Sequence, residues 1–275
     1  MDMTETGFVE TEFARIAFVQ SRSEGPAILF IHGNSSCKEV FSKQFTAPEF
    51  AGHRLVGFDL PGHGASGDAR EPDRTYTFGG YAEVAEEVVR QLGVDRPAIF
   101  GWSLGGHIAL EMLGRGFAAK GLMISGTPPV KADLESLMAG FNIDPNAENL
   151  TGKRDFTDAD ALAYATHTSA ANGYVDPHLL AMCRRTDGRA REIMFGSIMA
   201  GKAIDEREIV RTNKTPLAIV NGRDDLFLRP DYFDSLSYAA LWPRGIVRMT
   251  GAGHAPFLQR PQEFNSLLVE FVEGV

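Results

Sequence analysis

Cysteine is nearly absent. Cys37 and Cys183 are the two thiols in 275 residues, too few for a disulfide framework or a four-ligand zinc site. A reduced, cytoplasmic setting is the expectation. Basic residues are outnumbered: 27 Lys and Arg stand against 36 Asp and Glu, for a net charge of -9. No Lys/Arg cluster stands out, and a protein that grips phosphate needs one, so nucleic acid and anionic membrane surfaces are excluded as partners. Long apolar runs are missing as well. The longest strongly apolar stretch, Ala27 to Ile31, is far too short to cross a bilayer. The opening residues Met1 to Gly7 are acidic and polar, where a secretory signal is basic and then apolar. The chain reads as soluble. Its 44% hydrophobic and 23% charged residues exclude a disordered chain and fit one large α/β domain, or one domain carrying an insertion.

What is present is an alternation of short apolar runs with amphipathic stretches. Thr6–Thr11 and Arg15–Gln20 read as a hairpin, with Val9, Ile16, Phe18 and Val19 as its buried candidates. Pro26–Ile31, Arg54–Asp59, Pro97–Phe100 and Gly121–Ser125 are continuous apolar runs, as strands buried on both faces require. Between Phe78 and Leu92 the period turns helical, with Tyr81, Val84, Ala85, Val88, Val89 and Leu92 on one stripe. A second helix is predicted over Leu104–Leu113. Pro128-Pro129 breaks the rhythm, and from Val130 to Val210 the sequence offers helices without a convincing buried strand. Strands then resume at Pro216–Val220 and Gly245–Met249, with a short helix at Arg229–Leu236 between them and a closing helix from Pro261 through Phe271. The prediction is a mostly parallel sheet flanked by helices. Its core spans residues 1–129 and 211–275, and a helical cap, 130–210, is inserted in it.

Gly101-Trp102-Ser103-Leu104-Gly105-Gly106 directly follows a buried strand and opens a helix. That is where a nucleophilic serine sits on a sharp turn whose glycines leave room around it. A serine hydroxyl needs a base, and the base an orienting acid. On such a sheet the order along the chain is Ser, Asp or Glu, then His. Gly222-Arg223-Asp224-Asp225 and Gly253-His254 follow the last two strands, on the same sheet edge as Ser103. The two aspartates compete for His254. Spacing of three residues after the glycine selects Asp225, leaving Asp224 to cap or turn the loop. His32-Gly33-Asn34 comes off the apolar run ending at Ile31 and offers the Asn34 backbone N–H as an oxyanion donor beside that of Leu104. His32 is expected to fix this loop, and Asp59–Ser66 to shape a site wall. His107 and Glu111, four apart on a helix, are expected to pack or hydrogen-bond rather than hold metal. Cys37 is expected to be a packed thiol.

These motifs resemble the α/β-hydrolase superfamily across nearly the whole chain. A closer resemblance lies in Gly101–Ile108, Ser125–Val130, Arg185–Arg191 with Ile193–Phe195, and Ala252–Phe257, which are similar to the metal-independent N-acyl-homoserine lactone lactonases of that superfamily. The resemblance implies Ser103, Asp225 and His254 as a triad, Asn34 and Leu104 as the oxyanion hole, and Tyr164 as a hydrogen-bonding partner of the substrate's polar head. The lactonase pattern can carry Glu where Asp225 stands. Neither metal nor cofactor is implied, and the His-x-His-x-Asp-His cluster of zinc-dependent lactonases is missing from the sequence. Met138, Phe141, Met182, Met194, Phe195 and Met199 would suit an apolar tunnel for an acyl chain, and Trp102, beside the nucleophile, would line the site. The expected partner is a small acyl lactone or ester, and the expected state a monomer or weak homodimer. Two other readings use the same residues: a carboxylesterase on short acyl esters, and a ligand-sensing receptor that hydrolyses slowly.

Overall fold

A computed structural model describes residues 4–144 and 146–275, so the first three residues of the acidic opening lie outside the described residues. Eight strands form one sheet: β1 Thr4–Glu10, β2 Arg15–Ser21, β3 Ala27–Ile31, β4 Arg54–Phe58, β5 Ala98–Trp102, β6 Gly121–Ser125, β7 Leu217–Gly222 and β8 Leu241–Met249. Their order is β1-β2-β4-β3-β5-β6-β7-β8. β1 and β2 are antiparallel to their neighbours, and from β4 to β8 every pairing is parallel. The order reverses between β3 and β5, the place in such sheets where loops from the strands' C-terminal ends diverge and leave a crevice.

Alternation along the buried strands divides the core into two layers. Leu29, Ile31, Val56, Phe58, Ile99, Leu122, Ile124 and Ile219 face the helices Phe78–Gln91 and Leu104–Gly114. Ile28, Phe30, Leu55, Phe100, Trp102, Met123 and Val220 face the other way, against Phe257, Phe264, Leu268 and Phe271 of the C-terminal segment. In the hairpin, Ile16 and Phe18 are buried, while Val9 and Val19 are half-buried on its edge.

β8 runs four residues further back than the Gly245 start expected from sequence. Pro243 and Gly245 look like breakers, but β8 is an edge strand, where a residue without an N–H costs no ladder bond. The register slips between the Leu217–Leu241 and Ile219–Ile246 pairs, and Gly245 takes φ +69° at the slip. Among the described residues, five helices, Leu134–Gly140, Asp158–Ser169, Pro177–Arg185, Gly188–Met199 and Glu206–Thr212, lie between β6 and β7. No described helix is long and apolar enough to cross a membrane.

Candidate active site

Ser103 sits between β5 and the helix Leu104–Gly114 with φ +53° and ψ -119°, a strained turn that lifts its side chain out of the strand. The turn closes because its neighbours are small. A Cβ on Gly105 would meet the Ile31 carbonyl oxygen at 2.0 Å. The β3 loop lies against the same residue: a Cβ on Gly33 would stand 3.1 Å from Ser103 Cβ. Thus the strand crossover at β3–β5 brings His32-Gly33-Asn34 beside the serine.

His254 lies 4% exposed, with Nδ1 2.8 Å from Asp225 Oδ2. The carboxylate accepts the Nδ1 proton, which leaves Nε2 with its lone pair. Asp225 Oδ1 in turn accepts the Phe227 N–H at 2.9 Å. Of the two adjacent aspartates, Asp225 makes this pair, while Asp224 is exposed and gives its N–H to Ala252 O. Among the described residues Ser103 Oγ makes no hydrogen bond to His254. Catalytic hydrogen bonds are often long without substrate and shorten when it binds. The Phe227 ring packs at a tilt against the His254 imidazole, centroids 4.8 Å apart. Phe227 was not a sequence candidate, and its sole signal there is its place two residues after Asp225.

Trp102 is 1% exposed and does not line an open surface. Its indole N–H donates to His254 O at 2.8 Å, and its ring packs on Phe257. Strand parity explains this, since Trp102 shares its face with Ala98 and Phe100 against the C-terminal segment. Tyr164 is buried, its hydroxyl facing the Asn34 and Thr151 side chains, and burial pushes its pKa up. Asn34 Nδ2 donates to Thr151 O at 3.1 Å. The four methionines proposed for the tunnel diverge: Met194 packs in the core, Met182 is half-buried against the layer that holds Trp102, and Met138 and Met199 are exposed. A cleft of about 490 Å³ opens behind the acid, lined by Asn221, Arg223, Asp225, Leu228 and Arg248. A larger polar cleft, about 700 Å³, lies at the far ends of β3 and β4 and holds none of these residues.

The loop residues hold rather than react. His32 Nε2 accepts the Leu60 N–H at 3.0 Å, so Nδ1 carries the proton and donates to Gly33 O at 2.8 Å. Burial holds His32 below the usual imidazole range. The Asp59 carboxylate is fully buried and takes the Lys38 backbone N–H, the Lys38 ammonium and the Ala65 N–H. His107 does not pair with Glu111 as its spacing suggested. Its Nδ1 lies 2.8 Å from Glu206, which also accepts the Val130 N–H at 2.9 Å, while Glu111 accepts the Ile204 N–H. Helical spacing set the neighbour on the same helix, but Glu206 reaches in from the far end of the insertion. Cys37, Glu39 and His178 are the described residues whose side chains come within 4.8 Å as a possible metal set. The Lys38 ammonium already sits 2.7 Å from Glu39, and burial, then Glu39 and Asp59, push the Cys37 thiol up. These side chains are partnered as they stand.

Arg185 and Asp187, in the Arg185–Arg191 stretch that carries part of the closer resemblance, bind the core. Arg185 reaches the Gly62 and Ser66 carbonyls, and Asp187 accepts the Tyr76 hydroxyl at 2.6 Å.

The model of the alpha/beta hydrolase family matches residues 28–267. A solved mutant of the N-acyl homoserine lactonase AidH complexed with N-hexanoyl homoserine lactone superposes with a TM-score of 0.93 at 40% identity, covering 98% of this chain and 97% of that one. AidH complexed with N-butanoyl homoserine gives the same score at 41% identity, over 98% and 96%. The pimeloyl-[acyl-carrier protein] methyl ester esterase of Nitrosospira multiformis is 28% identical over 267 residues, 92% of this chain and 97% of the relative. A match of that span, on a sheet that reverses beside a strained serine turn, places the chain in the alpha/beta hydrolase family.

Proposed function

We propose that the protein is a serine hydrolase that opens the lactone ring of N-acyl-homoserine lactones. The observation that carries this is the likeness to AidH, 40% identical across 98% of the chain. In the proposed reaction Ser103 Oγ attacks the ring carbonyl carbon and gives its proton to His254 Nε2. Asp225 holds the Nδ1–H and stabilises the imidazolium. The oxyanion rests on the Asn34 and Leu104 backbone N–H groups. Collapse breaks the ring C–O bond, and the leaving alkoxide takes the proton from His254. The product of this half is a seryl ester still carrying the whole opened molecule. Water then adds, giving its proton to Nε2. Ser103 leaves with that proton, and N-acyl-homoserine is released as a carboxylic acid that gives its proton to solvent.

The polar head fits beside Asn34, with the Tyr164 hydroxyl, which faces the Asn34 side chain, as its hydrogen-bonding partner. The insertion 130–210 serves as the cap. The chemistry requires no metal or cofactor, and the activity would quench acyl-lactone signals inside a cytoplasm, from a monomer or weak homodimer.

The likeness to a methyl ester esterase favours a second reading, hydrolysis of short acyl esters with the same residues. Comparing kcat/KM on N-hexanoyl-homoserine lactone and p-nitrophenyl butyrate separates the two. The lactonase reading expects ring opening, a Ser103-dependent gain of one water reversed by acid, to be the preferred reaction. Efficient cleavage of p-nitrophenyl butyrate with the lactone left intact would sink it and leave the esterase.

A further inference from the structure

Asn34 is followed by a residue in an unfavourable conformation. Ser35 has φ +54°, a left-handed backbone that residues other than glycine, asparagine and aspartate seldom adopt and that persists where its surroundings enforce it. The enforcing contacts come from the insertion. Arg191, on the helix Gly188–Met199, donates from Nη1 to Ser35 Oγ at 3.1 Å. The Ser35 hydroxyl donates in turn to Asn34 Oδ1 at 3.3 Å.

The rest of the guanidinium is committed to one short segment. Nε donates to Lys153 O and Nη2 to Arg154 O, each at 2.7 Å, and the Phe156 ring lies 3.8 Å beneath the fork. The same segment supplies Thr151 O, which accepts Asn34 Nδ2. Arg191 therefore reaches Asn34 along two routes, through the Ser35 hydroxyl and through the carbonyl of Thr151. It is 2% exposed and, among the described residues, forms an ion pair with no carboxylate. A cation buried on neutral acceptors is expensive, and one whose planar fork meets three acceptors in fixed directions is not replaceable by a lysine point charge.

We propose that Arg191 is a positioning residue of the oxyanion loop, locking Ser35 in its left-handed form so that the Asn34 N–H faces the oxygen of the carbonyl attacked by Ser103. This rests on the serine-hydrolase reading of the site and not on the choice of lactone over ester. Arg191 touches no reacting atom and acts through the placement of Asn34.

The test compares Arg191→Lys, Arg191→Met and Ser35→Ala with the unaltered protein on p-nitrophenyl butyrate and N-hexanoyl-homoserine lactone, alongside thermal melting and amide hydrogen exchange of residues 33–36. The expected result is a kcat lower by roughly 10- to 100-fold with KM nearly unchanged in both Arg191 variants. Exchange at 33–36 rises while β3 stays protected. Lysine restores the melting temperature relative to methionine without restoring kcat, which a purely structural role or a purely electrostatic one would not produce. Ser35→Ala, which removes one hydroxyl and leaves the fold intact, moves kcat and exchange in the same direction and decides the matter if Arg191→Met fails to fold. Unaltered kcat and exchange in Arg191→Lys or Ser35→Ala, or a loss confined to KM, overturns the proposal. Absence of turnover by the unaltered protein on both substrates counts against the hydrolase reading instead, and exchange at 33–36 still decides the role of Arg191.

Discussion

The Asp225 carboxylate is held on both oxygens, one by its own loop through the Phe227 N–H and one by His254 Nδ1. Asp225→Asn keeps the shape and the loop contact but presents an amide to the imidazole, favouring the wrong tautomer. Its kcat for ester hydrolysis is expected to fall by about 10³–10⁴-fold with an unchanged melting temperature; a loss below tenfold would place the acid elsewhere. Two further side chains link the loops to pH. Burial holds His32 below its usual value of 6.5, and burial with the neighbouring His32 holds His63 well below it. The unfolded chain therefore takes up protons first. Stability from this pair is complete above pH 6.5 and falls as pH drops from there through the folded values. Melting temperature followed from pH 7.5 to about pH 5 is expected to decline, less steeply in His63→Gln; parallel curves would contradict this. Asp59→Ala leaves the Lys38 ammonium with Glu39 as its carboxylate partner but takes the acceptor from the Lys38 and Ala65 N–H groups, and is expected to cost about 1–3 kcal/mol in denaturant unfolding. At this scale the sequence was legible where spacing dictates chemistry. Asp225 was separable from Asp224 by its distance from Gly222, and His32 by its place on the loop. Trp102 was legible too, had strand parity been weighed over adjacency to Ser103. Phe227 was not, because its contact with His254 depends on a loop path that no periodicity records.

Among the elements, the turn at Ser103 and the two ends of the insertion matter most. Gly105→Ala would drive a methyl into the Ile31 carbonyl, so β3 and the helix Leu104–Gly114 must part. Loss of soluble protein, or a large drop in melting temperature with little activity left, is the expected outcome; an active Gly105→Ala protein would contradict this packing. The insertion is rooted at Glu206, whose carboxylate takes the Val130 N–H from one end of the insertion and the His107 imidazole from the core. Glu206→Ala leaves both donors buried and is expected to destabilise by about 1–3 kcal/mol, whereas Glu206→Gln, which retains an acceptor, costs less. Strands β3 to β7 were readable to within two residues, since burial on both faces leaves continuous apolar runs. β8 was readable only in its second half, because an edge strand tolerates the Pro243 that elsewhere marks an end. The partner of His107 was out of reach, lying 99 residues away.

Across the whole molecule the insertion touches every loop that carries a candidate group. Thr151 meets Asn34, the Asn142 N–H donates to the Phe227 carbonyl, Gln259 joins the Gly253 N–H to Ala170 O, and Glu206 meets the helix that starts at Leu104. The sequence located this block by its missing strands, but not what it grips, because many of its contacts have a backbone N–H or carbonyl on one side, which carries no residue signature. Substrate choice belongs to this scale, and so does the most direct measurement of the account. Intact-protein mass spectrometry after rapid mixing with N-hexanoyl-homoserine lactone, beside Ser103→Ala, reads what becomes attached to the serine. The account predicts a transient adduct on Ser103 equal to the mass of the entire lactone, since ring opening loses nothing, and none on the variant. An adduct of the hexanoyl group alone would mean amide cleavage, and an equal adduct on Ser103→Ala would contradict a seryl ester.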